Sequence, residues 1–172
     1  GRVHVSQAHV EAESPTQPAV KLHRAAVVVD GLSMSGNHTG LEWRGDNNGQ
    51  FGSYLNNSVF SGTQCVTLEG HPSLSGHGNR ISTACTGSIT LTDSQVNWSG
   101  LIDDRGATGT PAVLSLDATS RLHLHQPVNV SYASASLATG AELDVAWDLT
   151  VWVINNNSNG IPAASVNVTF AL

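Results

Sequence analysis

Leu41-Glu42-Trp43 is the first of four short stretches in which two apolar residues flank a polar one. The other three are Val66-Thr67-Leu68, Ile89-Thr90-Leu91 and Leu114-Ser115-Leu116, and the stretches begin 25, 23 and 25 residues after one another. A β-strand turns successive side chains to opposite faces, so each triplet places two apolar side chains inward and one polar side chain outward. Recurrence at an interval of roughly 20 to 50 residues is typical of a solenoid. We therefore predict that each triplet is the same strand of successive coils.

The composition of the chain favours strands over helices. Among its 172 residues, 17 are glycine, 34 are serine or threonine, and only 12% are charged. This profile suits turns and strands, whereas an amphipathic helix needs long charged side chains on its outer face. No stretch shows apolar residues at helical spacing over three turns. We therefore predict an all-β fold.

The apolar pattern divides the chain into three predicted parts. Residues 1–25 hold the alternating stretch Val3-His4-Val5 and then a polar segment with two prolines, which predicts an N-terminal tail or edge strand with a linker. Residues 26–140 hold the triplets and form the predicted solenoid. Residues 141–172 alternate apolar and polar side chains on both sides of a turn at 155–160, which predicts a C-terminal β-hairpin.

A second row of strands is predicted between the triplets. Its apolar residues recur once per repeat at less regular intervals, which a solenoid tolerates because its turns accept insertions. The members of this row are Leu32 and Met34, Val59 and Phe60, Ile81, Val96 and Trp98, and Leu122 and Leu124.

With this periodicity and with turns such as Ser61-Gly62 and Ser99-Gly100, the stretch 26–140 resembles the right-handed parallel β-helix. Pectate-lyase-like enzymes, phage tailspikes and many surface proteins share that architecture. The resemblance implies a right-handed parallel β-helix, or solenoid, ahead of the C-terminal hairpin. A β-sandwich or jelly roll is the alternative fold.

The end of the chain resembles the opening strands of an immunoglobulin-like surface module. The resemblance rests on a strand at 149–153, the turn Asn159-Gly160-Ile161-Pro162, and then a bend of small residues and a second strand within 163–168. It implies that residues 141–172 are a partial immunoglobulin-like element. Archaeal and bacterial surface proteins often join β-helices to such modules, which implies a surface protein here.

Charge and hydropathy argue against two classes of partner. The chain has a formal net charge of −6, which repels phosphate backbones and predicts no nucleic-acid partner. It has no apolar run near the roughly 18 residues that a spanning helix needs, so we predict no membrane span.

Asn-x-Ser/Thr sequons, the acceptor motif for N-glycans, are more frequent than the roughly 2.6 that chance placement would give. The excess predicts an extracellular or cell-surface glycoprotein, with a glycan-free β protein rich in serine, threonine and asparagine as the alternative. The six sequons begin at Asn37, Asn56, Asn97, Asn129, Asn156 and Asn167.

Cys65 and Cys85 are the only cysteines and lie close to one repeat length apart. In a solenoid, that spacing brings them side by side on neighbouring coils, which predicts a disulfide. Two buried thiols are the alternative. A closed zinc site needs four ligands, so two cysteines without a Cys-x-x-Cys pair do not predict one.

Three polar residues raise the question of glycosidase chemistry. Gly76-His77-Gly78 with Arg80-Ile81, together with Asp103 and Asp104, resembles elements of polygalacturonases, which are β-helix enzymes. The order departs from that family, in which the Asp pair precedes Gly-His-Gly. We therefore predict no catalytic residues, and we interpret these side chains as turn residues.

His123 and His125 lie two residues apart and so share one face of a strand. Such a pair could hold copper or zinc if a third ligand, such as His71 or His77, came from another coil. The alternative, which we favour, is a solvated histidine face. We predict no metal and no cofactor.

These patterns support a non-enzymatic, extracellular structural protein, a surface or filament subunit. We expect self-association into a homo-oligomer or filament by β-strand addition at the ends of the chain. The expected assembly residues are Val3, Val5, Val151, Val153, Val166, Val168 and Phe170. The alternative is a carbohydrate-active β-helix, either a lyase or hydrolase or a glycan-binding module, for which glycans would be the partners.

Overall fold

The structure is a computed structural model that describes residues 3–12, 14–23, 27–36, 38–45, 52–133 and 135–148. The described residues form 18 β-strands and one short 3₁₀ helix, Gly106–Thr108. They contain no helix long and apolar enough to cross a membrane. The predicted all-β fold is confirmed.

The strands form three parallel sheets, and successive strands along the chain visit the sheets in turn. Sheet A contains β1 (Val3–Ser6), β4 (Val27–Asp30), β7 (Ser53–Asn56), β10 (Leu74–His77), β13 (Gln95–Ser99), β16 (Arg121–His125) and β18 (Glu142–Ala146). Sheet B contains β2 (His9–Ala12), β5 (Ser33–Gly36), β8 (Val59–Gly62), β11 (Arg80–Cys85) and β14 (Ile102–Asp103). Sheet C contains β3 (Val20–His23), β6 (Thr39–Arg44), β9 (Gln64–Glu69), β12 (Ser88–Thr92), β15 (Val113–Leu116) and β17 (Ser136–Leu137). The chain is therefore a β-solenoid of about six coils, whose strands follow one another through the three sheets; between β16 and β17, no described strand belongs to sheet B.

The four triplets occupy neighbouring strands of sheet C, as their spacing predicts. Leu41 is in register with Val66, Val66 with Ile89, and Ile89 with Leu114. These four side chains are at most 1% exposed. Each coil thus stacks the same two inward positions on those of the coil before it, and the stack forms a continuous apolar column.

The second predicted row combines strands of two different sheets. Leu32, Met34, Val59, Phe60 and Ile81 belong to strands of sheet B or the turn before one. Val96, Trp98, Leu122 and Leu124 belong to β13 and β16 of sheet A. Phe60 and Trp98 nevertheless meet inside the solenoid, where their rings stack with centroids 6.4 Å apart. Except for Val59, which is half-buried and lies outside the core, the apolar residues of this row are buried in the core, but their assignment to one sheet was wrong.

Residues 1–25 were predicted to be an N-terminal tail or edge strand with a linker, and β1, β2 and β3 are each the outermost described strand of their sheet. These three strands pair in parallel with the first strand of each sheet that follows: β1 with β4, β2 with β5, and β3 with β6. Among the described residues, the solenoid therefore begins with β1 rather than near residue 26.

The predicted hairpin also differs where the structure describes it. β18 pairs in parallel with β16 and places Leu143 beside Leu122 and Val145 beside Leu124. It is therefore a further strand of sheet A. The rest of the predicted hairpin, residues 149–172, lies outside the described residues.

Buried polar side chains hold the corners between sheets. Between sheets A and B, Asn79 is fully buried, accepts the backbone N–H of Ser58 at 3.1 Å and donates to the carbonyl of Leu55 at 2.7 Å. Between sheets C and A, the Ser94 hydroxyl accepts the backbone N–H of His71 at 3.2 Å. Corner backbone groups leave the sheet ladders, so these side chains supply the hydrogen bonds that buried backbone requires.

The predicted disulfide between Cys65 and Cys85 is confirmed. Cys65 lies in β9 and Cys85 ends β11, so the bond joins two successive coils. Both residues are fully buried in the core. The described residues contain no free cysteine.

Candidate functional site

A groove of about 510 Å³ lies on the outer face of sheet A. It crosses four successive strands, β7, β10, β13 and β16. Its lining residues are Tyr54, Asn56, Ser75, Gly76, His77, Asn97, Trp98, Ser99, His123 and His125. We refer to this surface as the sheet A groove.

Two rows of outward side chains form the walls of the sheet A groove. In the first row, Ser75 is in register with both Tyr54 and Asn97, and Asn97 is in register with His123. In the second row, His77 is in register with Ser99, and Ser99 with His125. Each row therefore adds one polar side chain per coil, at the strand spacing of about 4.8 Å.

The floor between these rows is formed where Gly76 and Trp98 turn inward. A Cβ atom at Gly76 would collide with the carbonyl oxygen of Leu55 on the neighbouring strand. Trp98 is only 1% exposed, so its ring fills the core below the sheet. The floor of the groove is therefore backbone, and the walls carry the functional groups.

The lining of the sheet A groove contains no aspartate, glutamate, lysine or arginine. Its titratable side chains are Tyr54 and three imidazoles, those of His77, His123 and His125. The remaining polar groups are amides and hydroxyls, which both donate and accept hydrogen bonds. The lining therefore combines amide, hydroxyl and imidazole groups with the apolar surface between them.

Three hydrogen bonds are made at the two ends of the second row. The side-chain oxygen of Asn56 accepts the backbone N–H of His77 at 3.2 Å. At the other end of the groove, Nε2 of His125 lies 3.0 Å from Oδ1 of Asp148, and the amide of Gln126 donates to Oδ2 of the same carboxylate at 2.7 Å. These contacts orient the side chains of Asn56, His125 and Gln126 without filling the groove.

The structure does not bring the polygalacturonase-like residues together. His77 lines the groove on sheet A, whereas Asp103 lies in β14 of sheet B. Asp103 is 1% exposed, and its carboxylate accepts the backbone N–H groups of Arg105 at 3.0 Å and Ala112 at 2.6 Å. This side chain holds a corner of the backbone.

Asp104 is engaged at the surface with Arg80, whose Nε lies 2.5 Å from Oδ2 of Asp104. The hydrogen bond to Asp104 and then its negative charge raise the pKa of Arg80. Asp104 and Asp103 thus make separate structural contacts on sheet B, and neither lines the sheet A groove.

His123 and His125 share the outer face of β16, as their spacing predicts. Neither His71 nor His77 completes a metal site with them. His71 is buried at another corner, where its Nε2 lies 3.1 Å from the carbonyl oxygen of Trp43. In the part of the chain that the structure describes, no three His, Cys, Asp or Glu side chains are grouped so that they could hold a metal ion.

Three of the predicted sequons lie in described segments. Asn97 is exposed and lines the groove, Asn56 is half-buried beside it, and Asn129 is exposed elsewhere. A glycan on Asn97 would project over the groove. Glycosylation remains a prediction, and Asn37, Asn156 and Asn167 lie outside the described residues.

The expected assembly residues lie mostly outside the described segments. Val3 and Val5 are in β1, and Val5 is half-buried against the core. The remaining positions, Val151, Val153, Val166, Val168 and Phe170, lie outside the described residues.

The sequence analysis did not identify the groove. Tyr54 and Ser75 were not predicted as site residues, and Asn97 was predicted only as a glycosylation site, although each is an outward polar position of sheet A. The available signal was one polar residue per repeat, at intervals of 21 residues from Tyr54 to Ser75 and 22 from Ser75 to Asn97. That signal becomes specific only once the register of the strands is known.

Comparison with known proteins gives no match to a family model, a curated protein or a solved structure.

Proposed function

We propose that this chain is a non-enzymatic structural protein of the extracellular surface, in which stacked coils form a stiff scaffold. The observation that carries this proposal is the position of the candidate acidic residues. Asp103 is committed to backbone N–H groups and Asp104 to Arg80, whereas the sheet A groove has no carboxylate in its lining. Most glycoside hydrolases use two carboxylates that flank the glycosidic bond in one cleft.

The extracellular part of the proposal is supported by covalent chemistry. Cys65 and Cys85 form a buried disulfide between coils. Structural disulfides persist in oxidising compartments and are rare where thiols are kept reduced. The excess of sequons in the sequence points to the same location.

Self-association through β-strand addition is the proposed mode of assembly. Among the described residues, β1 and β18 are the outer strands of sheet A, and each has a strand partner on one side. A second copy that added its strand to such an edge would gain backbone hydrogen bonds, and head-to-tail addition would build a fibre.

Light scattering coupled to size-exclusion chromatography tests this assembly over a range of protein concentrations. We expect the mass to rise with concentration, and we expect negative-stain micrographs to show rods or filaments. Val5→Lys, which places a charge at a half-buried inward position of β1, should weaken association. His4→Lys, on the exposed side of the same strand, is the matched control. Monomers at all concentrations, or equal effects of the two variants, would contradict strand addition.

A polysaccharide-degradation screen tests the non-enzymatic part of the proposal. We expect no turnover of plant or bacterial polysaccharides. Turnover that is lost in Asp104→Asn would show that the carboxylates act catalytically, and the proposal would then be wrong.

A further inference from the structure

We propose that a second copy of this chain docks on the end of the solenoid so that its His4 faces Asp144, and that mild acid strengthens this joint. The inference rests on the strand addition proposed above and adds its register, its polarity and its pH dependence. We call the end formed by β1, β2 and β3 the N-terminal end, and the end formed by β17 and β18 the C-terminal end.

The C-terminal end leaves apolar side chains at inward positions exposed. Leu137 is in register with buried Leu116, yet it is 45% exposed. Leu143 and Val145 continue the inward positions of β16 but are only half-buried. Among the described residues, no further strand covers β17 or β18. A coil placed on this end would remove that apolar surface from water, which favours association.

The N-terminal end presents the matching pattern. Val5 of β1 is in register with fully buried Val29, and Leu22 of β3 is in register with fully buried Trp43. Val5 and Leu22 are themselves only half-buried against the core. Both ends therefore carry apolar side chains at the inward positions of sheets A and C.

The strand register specifies how two copies would meet. One inward column of sheet A runs from Val5 to Val145. One inward column of sheet C runs from Leu22 to Leu137. A second copy that continues both columns sets its Val5 beside Val145 and its Leu22 beside Leu137. Continuing the two columns together selects a single register.

In that register, outward side chains of opposite charge meet. Asp144 directly precedes Val145 and His4 directly precedes Val5, and both side chains are exposed. They would lie one strand spacing, about 4.8 Å, apart. Two copies that met by their C-terminal ends would instead bring Glu142 and Asp144 of both chains together. Opposite charges at the joint therefore favour head-to-tail docking.

His4 makes the joint sensitive to pH. Histidine side chains gain a proton as the pH falls below about 6.5, so His4 would then form an ion pair with the Asp144 carboxylate of the other copy. Within its own copy, β4 places uncharged Val28 beside His4. Asp30 of β4 lies beside Ser6 and accepts the amide of Asn57 at 2.8 Å.

The charged neighbours of Asp144 on β16 act in the same direction. His123 is in register with Asp144 and would also gain a proton in mild acid. Arg121 is paired with Glu142 at 3.0 Å between Nη1 and Oε2. Aspartate itself gains a proton near pH 4, so the added attraction belongs to the range from about pH 4 to 6.5 and is lost as the pH rises.

The association constant of the full chain at pH 5.5 and 7.4, measured by analytical ultracentrifugation, tests the proposal. We expect the parent protein to associate about threefold more tightly at pH 5.5. His4→Glu and Asp144→Lys should each weaken association. The double variant should recover it, because the pair is restored with the charges exchanged, and should do so equally at both pH values.

His9→Glu is the matched control. It makes the same change of charge on β2, an exposed position of sheet B, for which the described residues provide no partner strand at the C-terminal end. We expect its association to follow that of the parent protein at both pH values. All variants should keep the circular dichroism spectrum of the parent protein.

Disulfide trapping tests the register directly, since Ser6 and Ala146 are the outward residues that would follow Val5 and Val145 at the joint. Ser6→Cys and Ala146→Cys should cross-link when mixed and oxidised, and neither should cross-link alone. If the parent protein assembles but the mixture does not cross-link, or if His4→Glu and His9→Glu weaken assembly equally, this inference is wrong and strand addition still stands. A parent protein that is monomeric at both pH values would overturn both proposals.

Discussion

Asp103 is 1% exposed, and its two carboxylate oxygens accept the backbone N–H groups of Arg105 and Ala112. These bonds close the corner that contains the 3₁₀ helix Gly106–Thr108. Asp103→Ala would leave both donors without this acceptor, so we expect a loss of about 3 kcal/mol in the free energy of unfolding. Urea denaturation measures the change.

Asp104→Ala is the matched control for Asp103→Ala. The Asp104 carboxylate pairs with Arg80 at the surface, where solvent screens the interaction. We expect its unfolding midpoint to stay close to that of the parent protein. A larger effect for Asp104→Ala than for Asp103→Ala would contradict the structural role assigned to Asp103.

Asp117 links stability to pH. Desolvation raises the pKa of its carboxyl group, but hydrogen bonds from the Ser120 hydroxyl and from the backbone N–H groups of Asp93 and Thr119 outweigh it, so the pKa lies below its usual value. A depressed folded-state pKa stabilises the fold above the unfolded pKa of about 3.9. That contribution is lost as the pH falls through the lower pKa of the folded state.

Asp117→Asn should therefore flatten the acid side of the stability curve. We expect the difference in unfolding free energy between parent and variant to be constant at neutral pH and to shrink below about pH 4. Urea unfolding measured at a series of pH values gives both curves. Parallel curves down to pH 2 would show that Asp117 does not carry this dependence.

At the scale of the strand, the sequence alone predicted the stacked strands of sheet C but not those of sheet A. The inward positions of sheet C are uniformly apolar from Leu41 to Leu116, so the repeat is visible. The inward positions of sheet A include Ser53 and Gly76, which are not apolar. That interruption hides the period, and strands of sheets A and B were consequently combined into one row.

Gly76 also sets the distance between two strands. A Cβ atom there would collide with the carbonyl oxygen of Leu55 and approach the ring of Trp98 to 3.0 Å. Gly76→Ala should therefore force β7 and β10 apart and lower the free energy of unfolding by about 1–3 kcal/mol. Thermal and urea melts measure the loss.

Gly52→Ala is the control for the glycine prediction. The atoms nearest to a Cβ atom at Gly52 would belong to the Tyr54 side chain, at 3.6 Å or more. We expect a stability close to that of the parent protein. If both alanine variants were equally stable, the close approach of strands at Gly76 would be incorrect.

The disulfide connects two elements of successive coils. It closes a loop with a sequence separation of 20 residues, so replacing both Cys65 and Cys85 by alanine should lower the stability by about 3 kcal/mol. Urea denaturation with and without dithiothreitol measures this. Reductant should destabilise the parent protein and leave the double variant unchanged. If dithiothreitol left the unfolding midpoint of the parent protein unchanged, even when it was added to the unfolded protein, the prediction would be wrong.

The sheet A groove could not be predicted from the sequence for a related reason. Its walls come from four coils, and Tyr54, Asn97 and His123 become neighbours only through the strand register. An outward polar residue in a strand is the expected solvent-facing position, so nothing local distinguishes it from an ordinary surface residue. The groove forms only because side chains from successive coils are stacked beside one another.

At the scale of the whole molecule, the solenoid is longer than the repeat in the sequence suggested. Val20-Lys21-Leu22 fits the apolar-polar-apolar triplet and lies in register with Leu41-Glu42-Trp43. The polar, proline-containing segment before it suggested a linker instead. Since each coil of a solenoid contacts mainly its neighbours, a polar turn between strands does not prevent stacking. The structure differs most from the sequence prediction in the coil that contains β1–β3.

The central claim is that these coils stack in the observed register, including the coil that contains β3. Lys21, Glu42, Thr67, Thr90 and Ser115 form one continuous outward row of sheet C. Spin labels on Lys21→Cys and Ser115→Cys, with the native disulfide kept oxidised, report the length of that row by double electron–electron resonance. Four strand spacings predict a narrow distance distribution centred near 19 Å. A broad distribution, or a maximum far from four spacings, would contradict the stacked solenoid.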